Sequence, residues 1–185
     1  MSMIKNRSEF RVSTMDQKIA GIHHITAIAS EPQRNLDFYA GLLGLRLVKR
    51  TVNFDDPGTY HFYFGDARGT PGTILTFFPW PGARRGRRGV GQIEATAFAI
   101  SPDSAGYWLD RFKEQHVTAE KTPARFGEEV IRFTDPDGLM LELVASDSSG
   151  MTESWIDSIV PALLRESIMR SREGPDCSRS LSSES

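Results

Sequence analysis

Hydrophobic positions in the first half of the chain follow two spacings in turn, which predict one strand, one helix and then three strands. Residues 22–29 (IHHITAIA) form an apolar run of strand length. Helical spacing follows and stops at Gly44, with apolar side chains at Leu36, Tyr39, Ala40 and Leu43. Three β-rich runs separated by turn-forming residues complete this half, at 45–54, 59–66 and 72–80.

The second half of the chain repeats the same order of spacings. A strand is predicted at 93–100, and Ser101 with Pro102 then marks the start of a helix. The apolar face of that helix is predicted to comprise Ala105, Trp108, Leu109 and Phe112. Three strands follow it, at 116–122, 128–134 and 139–146.

The offset between the two halves drifts slowly, which indicates two copies of one unit with small loop deletions. It is 93 − 22 = 71 at the first strand, 105 − 36 = 69 along the helix and 138 − 72 = 66 at the glycine before the last strand. The sequence therefore predicts an α+β fold of two tandem βαβββ modules, at about 20–81 and 91–147, within one domain at 19–147. Because one helix covers only one face of each sheet, we expect two curved mixed sheets around a cleft, which is the natural site.

The two ends of the chain differ from this pattern. Residues 1–18 have no periodic apolar pattern and are predicted to be a disordered tail. The C-terminal extension, 148–185, is predicted to form a short amphipathic helix within 152–170, interrupted by Pro161, and then a disordered Ser-rich tail from about 171.

Composition narrows the classes of partner. The formal net charge is −2, so nothing attracts the chain as a whole to nucleic acid or to an anionic membrane. No apolar run is long enough to cross a bilayer, and we expect a cytoplasmic protein. The single cysteine, Cys177, excludes an intramolecular disulfide, and four arginines between Gly82 and Gly89 are best interpreted as a solvated linker.

Adjacent histidines, His23 and His24, lie on the first predicted strand. Successive side chains on a strand point to opposite faces, so at most one of the two reaches a given metal or substrate. Both faces are largely apolar, and alternation alone does not decide which imidazole faces the cleft. Each histidine is either a metal or substrate group or a core residue held by a hydrogen bond.

A carboxylate on the last predicted strand, Glu142, has Met140 and Val144 as neighbours on its own face. Burying a charge is costly unless it is paired, so either this face meets solvent or Glu142 binds a cation. Imidazole with carboxylate suits an octahedral Fe(II) or Mn(II) site, although two ligands alone bind weakly. His61 either supports such a site or packs among the aromatic residues of its strand.

Five segments together resemble the N-terminal region of bacterial ring-cleaving dioxygenases that act on hydroquinone-type aromatics. They occur in order as HHIT, LDFY…LGLRLVK, TVNFDDP, TYHFYFGD and PGTILTFFPW. The second copy, which ends FTDPDGLMLELVA, resembles the second module of the same family, so the likeness covers roughly residues 20–147. These dioxygenases are similar to glyoxalases and bleomycin-resistance proteins and form with them the vicinal oxygen chelate superfamily.

The resemblance implies a mononuclear Fe(II) centre, or sometimes Mn(II), bound by two histidines and one glutamate. His24 corresponds to the first ligand, and His23 to a catalytic group that contacts substrate by hydrogen bonding or acid–base chemistry. Family members are about twice as long, with four modules, and the other two ligands come from the last module. Glu142 matches a carboxylate position of the wider superfamily, whereas Ala95 and Thr76 stand where other superfamily ligands would align.

The resemblance therefore implies a metal-dependent dioxygenase for dihydroxylated aromatics and O₂, with this chain as a truncated half-enzyme. A second subunit, as in a homodimer, would then complete the site. The alternative is a non-catalytic module that binds a small aromatic or hydrophobic compound. A lyase or isomerase of the glyoxalase kind fits less well, because Ala95 and Thr76 cannot replace its ligands.

Overall fold

The computed structural model describes residues 21–87, 89–146 and 169–173, and the first module lies within the first range. Its strands are β1 (His24–Ala29), β2 (Arg46–Val52), β3 (Tyr60–Gly65) and β4 (Ile74–Pro79). Its helix α1 (Pro32–Leu36) continues as a π-helical turn, Asp37–Leu42, which the predicted helical spacing did not indicate. The wider turn still buries Phe38, Tyr39 and Leu42.

The second module has the same order of elements. Its strands are β5 (Ile93–Ile100), β6 (Ala119–Arg125), β7 (Glu128–Thr134) and β8 (Met140–Ala145). A 3₁₀ turn, Pro102–Ser104, leads into the helix α2 (Ala105–Glu114). The predicted α+β fold of two βαβββ modules is confirmed.

Each module forms its own mixed sheet. The first sheet has the order β1-β4-β3-β2, with β1 parallel to β4 and the other neighbours antiparallel. In the second sheet, β6, β7, β8 and β5 follow one another in the same way, with β5 parallel to β8. The first strand of each module therefore lies beside its last strand, and the βα connection crosses over the sheet.

The two sheets also share their register. Thr26 pairs with Thr76 in the first sheet, and Ala97 pairs with Glu142 in the second, so the offsets are 97 − 26 = 71 and 142 − 76 = 66. The glycine before the last strand has a φ of +92° at Gly72 and +91° at Gly138, a conformation that only glycine adopts at little cost. The offsets of 71 and 66 residues that the sequence indicated are thus also found in the strand pairing of the two sheets.

One continuous core joins the modules. It lies between the helices and the helix-facing sides of both sheets, where alternate strand residues point. Phe38 on the first helical segment contacts Phe133 on β7, with ring centroids 6.3 Å apart. The largest fully buried side chains of this core are Tyr39, Phe62, Phe64, Phe77, Phe112, Leu75, Ile100, Ile131 and Leu141.

Polar contacts across the modules centre on the turn before β8. The hydroxyl and backbone N–H of Ser30 donate to Asp137 at 2.6 and 2.9 Å, and Arg34 pairs with the same carboxylate at 2.7 Å. The hydroxyl of Tyr39 donates to Asp135 at 3.0 Å. Burial, and then the charge of Asp135, raises the pKa of Tyr39, so the phenol stays neutral.

A ninth strand corrects the predicted C-terminal extension. β9 (Met169–Glu173) pairs antiparallel with the outer edge of β5, whereas the sequence predicted the end of a helix and the start of a disordered tail there. A free strand edge offers backbone N–H and C=O groups to any extended segment, whatever its side chains. The predicted tail at 1–18 and the rest of the extension lie outside the described residues.

Among the described helices, none is long and apolar enough to span a membrane.

Candidate functional site

The side of the first sheet that faces away from the core is called the open face. Strand alternation and register place on it one polar or aromatic group after another, from all four strands. Its residues include His24, Thr26 and Ile28 of β1, Thr76 and Phe78 of β4, His61 and Tyr63 of β3, and Lys49 of β2.

The two adjacent histidines lie at the start of β1, and both are exposed. Their Nδ1 atoms are 3.1 Å apart and their rings meet edge to face. His23 precedes the first residue of β1, so strand alternation does not force the two rings apart. His24 shares the open face with Thr26 and Ile28. Alternation left open which imidazole faces a cleft, and in the structure both rings are exposed.

Two threonines occupy the middle of the open face. The hydroxyl of Thr76, which is fully buried, donates to the hydroxyl of Thr26 at 2.9 Å. By register, Thr76 is the counterpart of Glu142 in the second module, so the first sheet carries a neutral hydroxyl where the second carries a carboxylate.

Aromatic rings cover the far end of the open face. The His61 ring stacks on Phe78 with centroids 3.9 Å apart, and Phe78 stacks on Trp80 with centroids 6.4 Å apart. The indole N–H of Trp80 donates to Asp56 at 3.1 Å, which fixes the outer ring. Hydrogen bonds from Thr59 and then Trp80 lower the pKa of Asp56, so this acceptor is ionised near neutral pH.

His61 has one satisfied and one unsatisfied nitrogen. Its Nδ1 lies 3.0 Å from the hydroxyl of Tyr63, whereas its Nε2 is buried without a hydrogen-bond partner. Burial lowers the pKa of His61, and the charges of His24 and Lys49 lower it further. His61 is therefore a neutral imidazole near pH 7, packed among aromatic residues as one interpretation of the sequence expected.

Glu142 occupies a different environment on the second sheet. Its carboxylate is fully buried and accepts hydrogen bonds from Arg132 at 2.8 and 3.2 Å, and from Arg125. Burial alone would raise the pKa of Glu142, but the two arginines outweigh it and lower the pKa. Of the two alternatives that the sequence left open, solvent or a cation, the structure shows a pair of guanidinium groups, and the metal-ligand role expected of Glu142 stays a prediction.

The described residues do not assemble a complete metal site. Within 21–87 and 89–146, no group of three or more His, Cys, Asp or Glu side chains is arranged to hold a metal ion. His24 is exposed and has room for a ligand bond, so it fits a single ligand position. The sequence did not indicate Arg125 and Arg132 as partners of Glu142, or Tyr63 and Phe78 as partners of His61. The contact between Arg132 and Glu142 could have been inferred from the pairing of β7 with β8, because their register places the two residues opposite each other.

Comparison with known proteins agrees with this architecture. Residues 21–143 match the model of the glyoxalase/bleomycin resistance protein/dioxygenase superfamily, and the chain belongs to that superfamily.

Two curated relatives share extensive sequence with the chain. It is 53% identical over 141 residues to MhqO of Bacillus subtilis (strain 168), a protein named as a candidate ring-cleaving dioxygenase; the match covers 76% of this chain and 45% of MhqO. It is 35% identical over 150 residues to a chlorohydroquinone/hydroquinone 1,2-dioxygenase of Sphingobium indicum, which covers 80% of this chain and 47% of that enzyme.

A solved structure gives the same result. A crystal structure of a dioxygenase candidate from Bacillus subtilis superposes with a TM-score of 0.76 at 50% identity, and covers 80% of this chain and 47% of that one. The chain thus spans about half the length of the relatives that it matches.

Proposed function

We propose that this chain supplies one half of a metal-dependent ring-cleaving dioxygenase that acts on dihydroxylated aromatics with O₂. The observation that carries the proposal is the exposed imidazole of His24, on the same sheet face as a cluster of aromatic rings. The relative named for chlorohydroquinone and hydroquinone supports this substrate class. We also retain a cytoplasmic location as a proposal.

In this proposal His24 is one metal ligand and His23 contacts the substrate by hydrogen bonding. A bound Fe(II), or alternatively Mn(II), would supply a centre at which diol oxygens and dioxygen meet. The described residues offer only part of the ligand set, since Glu142 is engaged by Arg125 and Arg132. The remaining ligands therefore come from a second surface, which we propose to be another copy of this chain in a homodimer.

The test is metal content, oxygen uptake and assembly mass of the purified chain after anaerobic reconstitution with Fe(II) or Mn(II). Hydroquinone and catechol are the substrates for the uptake assay. We expect one metal per dimer, and loss of that metal in His24→Asn. His116→Asn is the matched control, because His116 follows α2 at a φ of +56°, which asparagine tolerates. It should retain metal and oxygen uptake.

Two results would contradict the proposal. One is an apo monomer after reconstitution; the other is unchanged metal content in His24→Asn.

A second candidate function is a non-catalytic module that binds an aromatic compound. The absence of a three-ligand group among the described residues favours it. A compound that raises the melting temperature equally with and without chelator would support binding over catalysis. A glyoxalase-type lyase has less support. The hydroxyl of Thr76 is hydrogen-bonded to Thr26, and the side chain of Ala95 has no atom that could bind a metal.

A further inference from the structure

The aromatic cluster on the open face is arranged as a fixed wall. The planes of His61 and Phe78 differ by 29°, and those of Phe78 and Trp80 by 28°, so each ring in the row is stacked on its neighbour with a moderate tilt. Trp80 is 38% exposed although its indole N–H is held by Asp56. A large ring kept in place yet left in contact with solvent has apolar surface available for a ligand.

Tyr63 gives this wall a polar end. A phenol hydroxyl has one hydrogen to donate and two lone pairs that accept. Near pH 7 His61 is neutral, so its Nδ1 can accept the Tyr63 hydrogen and leave both lone pairs free. His61 Nε2, buried without a partner, then carries the remaining imidazole hydrogen.

Register places this hydroxyl-bearing residue on the same face as the proposed metal ligand, with β4 between their two strands. Tyr63 pairs with Thr76, and Thr76 with Thr26, which is two residues from His24 on the same face. Lys49 lies on the other side, with its ammonium 5.5 Å from the centre of the Tyr63 ring. Tyr63 is thus held from two sides, by the His61 imidazole and by the Lys49 cation.

We propose that Tyr63, positioned by His61, accepts a hydrogen bond from a hydroxyl of a monocyclic phenol whose ring packs against Phe78 and Trp80. The choice of a hydroxylated ring rests on the proposed function. The subsite itself uses no metal, so the two can be tested apart. His61 acts as a positioning residue, and Tyr63 as the group that distinguishes a free hydroxyl from a blocked one.

The test measures ligand binding to the full chain by ligand-observed NMR. The samples are kept anaerobic and contain excess chelator. Hydroquinone is the probe, and 1,4-dimethoxybenzene is the comparison compound because it has no hydroxyl to donate. Tyr63→Phe removes only the phenolic oxygen, and His61→Phe keeps a ring on Phe78 but removes both nitrogens. Tyr60→Phe is the matched control, since Tyr60 lies on the same strand, next to the core residue Phe62.

We expect Tyr63→Phe and His61→Phe to weaken hydroquinone binding by about 2- to 12-fold, the range for one net hydrogen bond. The affinity for 1,4-dimethoxybenzene should stay unchanged in both variants, a selectivity that loss of folding would not produce. Phe78→Leu should weaken both compounds, whereas Phe54→Leu, at a side chain that is 95% exposed, should weaken neither.

Equal hydroquinone affinity in wild type and Tyr63→Phe would overturn the proposal, as would failure of hydroquinone to bind at all. Either result leaves a metal bound by His24 intact, so the proposed function would stand. Conversely, Tyr63-dependent binding by a chain that takes up no metal would support the subsite and count against the dioxygenase.

Discussion

At the scale of single residues, Glu142 shows how equivalent positions in the two modules of a duplicated fold can hold different residue types with different roles. The same register position holds Thr76 on the open face and Glu142 on the second sheet. A buried carboxylate is stable only when it is paired, and here Arg125 and Arg132 pair with it. The position that could carry a metal ligand in this fold is therefore used in this module for an internal ion cluster.

Glu142→Gln tests that interpretation. We expect it to lower the free energy of unfolding by about 1–3 kcal/mol near neutral pH, because the two guanidinium groups lose the charge that holds them. Metal content should not change. Glu114→Gln, at an exposed carboxylate at the end of α2, should change stability by less than about 0.5 kcal/mol.

The same variant has a defined pH dependence. The pKa of Glu142 is lowered in the folded state, so its contribution is present above the ordinary value of 4.5 and is lost as pH falls through the folded pKa. Urea unfolding from pH 7 down to pH 3 should show the wild type losing its advantage over Glu142→Gln in acid. A stability difference that stays constant across this range, or a loss of metal in the variant, would contradict the structural role.

At the scale of elements, the turn before β8 joins the modules. Asp137 accepts two hydrogen bonds from Ser30 and pairs with Arg34, across 107 and 103 residues of chain. Burial alone would raise the pKa of Asp137, but the Ser30 hydrogen bonds and the Arg34 charge lower it. This turn contains Gly138 at a positive φ, a conformation that favours glycine. The same turn therefore also supplies, through Asp137, the hydrogen-bond acceptor for Ser30 of the first module.

Asp137→Ala should therefore destabilise the fold by about 1–3 kcal/mol, since it leaves the half-buried Ser30 groups without their acceptor. Arg34→Ala, which removes a cation whose side chain is 51% exposed, should cost less than about 1 kcal/mol. Urea unfolding of both variants measures the difference. If Arg34→Ala proved as costly as Asp137→Ala, the stabilisation would come from the surface ion pair instead of the Ser30 bonds.

The sequence was sufficient to predict the strands of the two modules, but not the residues that contact each functional side chain. Alternating strands, helical spacing and positive-φ glycines are local signals, and all eight strands of the two modules were found from them. β9 was not, because pairing with the edge of β5 depends on backbone groups and not on side-chain pattern. The exposure of His24 also escaped prediction, because local alternation does not tell which face of a sheet the helices will cover.

At the scale of the whole molecule, the open face is the side of the first sheet that the core of the described residues does not cover. The described core lies on the opposite side of the first sheet, and Ile28, on the edge strand β1 of the open face, is 56% exposed. The chain covers 45–47% of its dioxygenase relatives, and in the proposed function His24 supplies only one of the metal ligands, since the described residues hold no group of three. A second copy applied to this face would cover the apolar side chains and bring a second His24 towards the first.

Ile28→Asp places a charge on that surface, next to Phe78, without touching the core. We expect the wild-type chain with Fe(II) or Mn(II) to sediment as a dimer and Ile28→Asp as a monomer, because burying an unpaired carboxylate at the interface is costly. Phe126→Asp is the matched control: Phe126 is 95% exposed on the β6–β7 turn, and its φ of +53° suits aspartate. It should remain dimeric. Sedimentation velocity with and without metal decides the matter: a monomeric wild type, or an Ile28→Asp variant that still dimerises, would show that the open face does not receive a second copy.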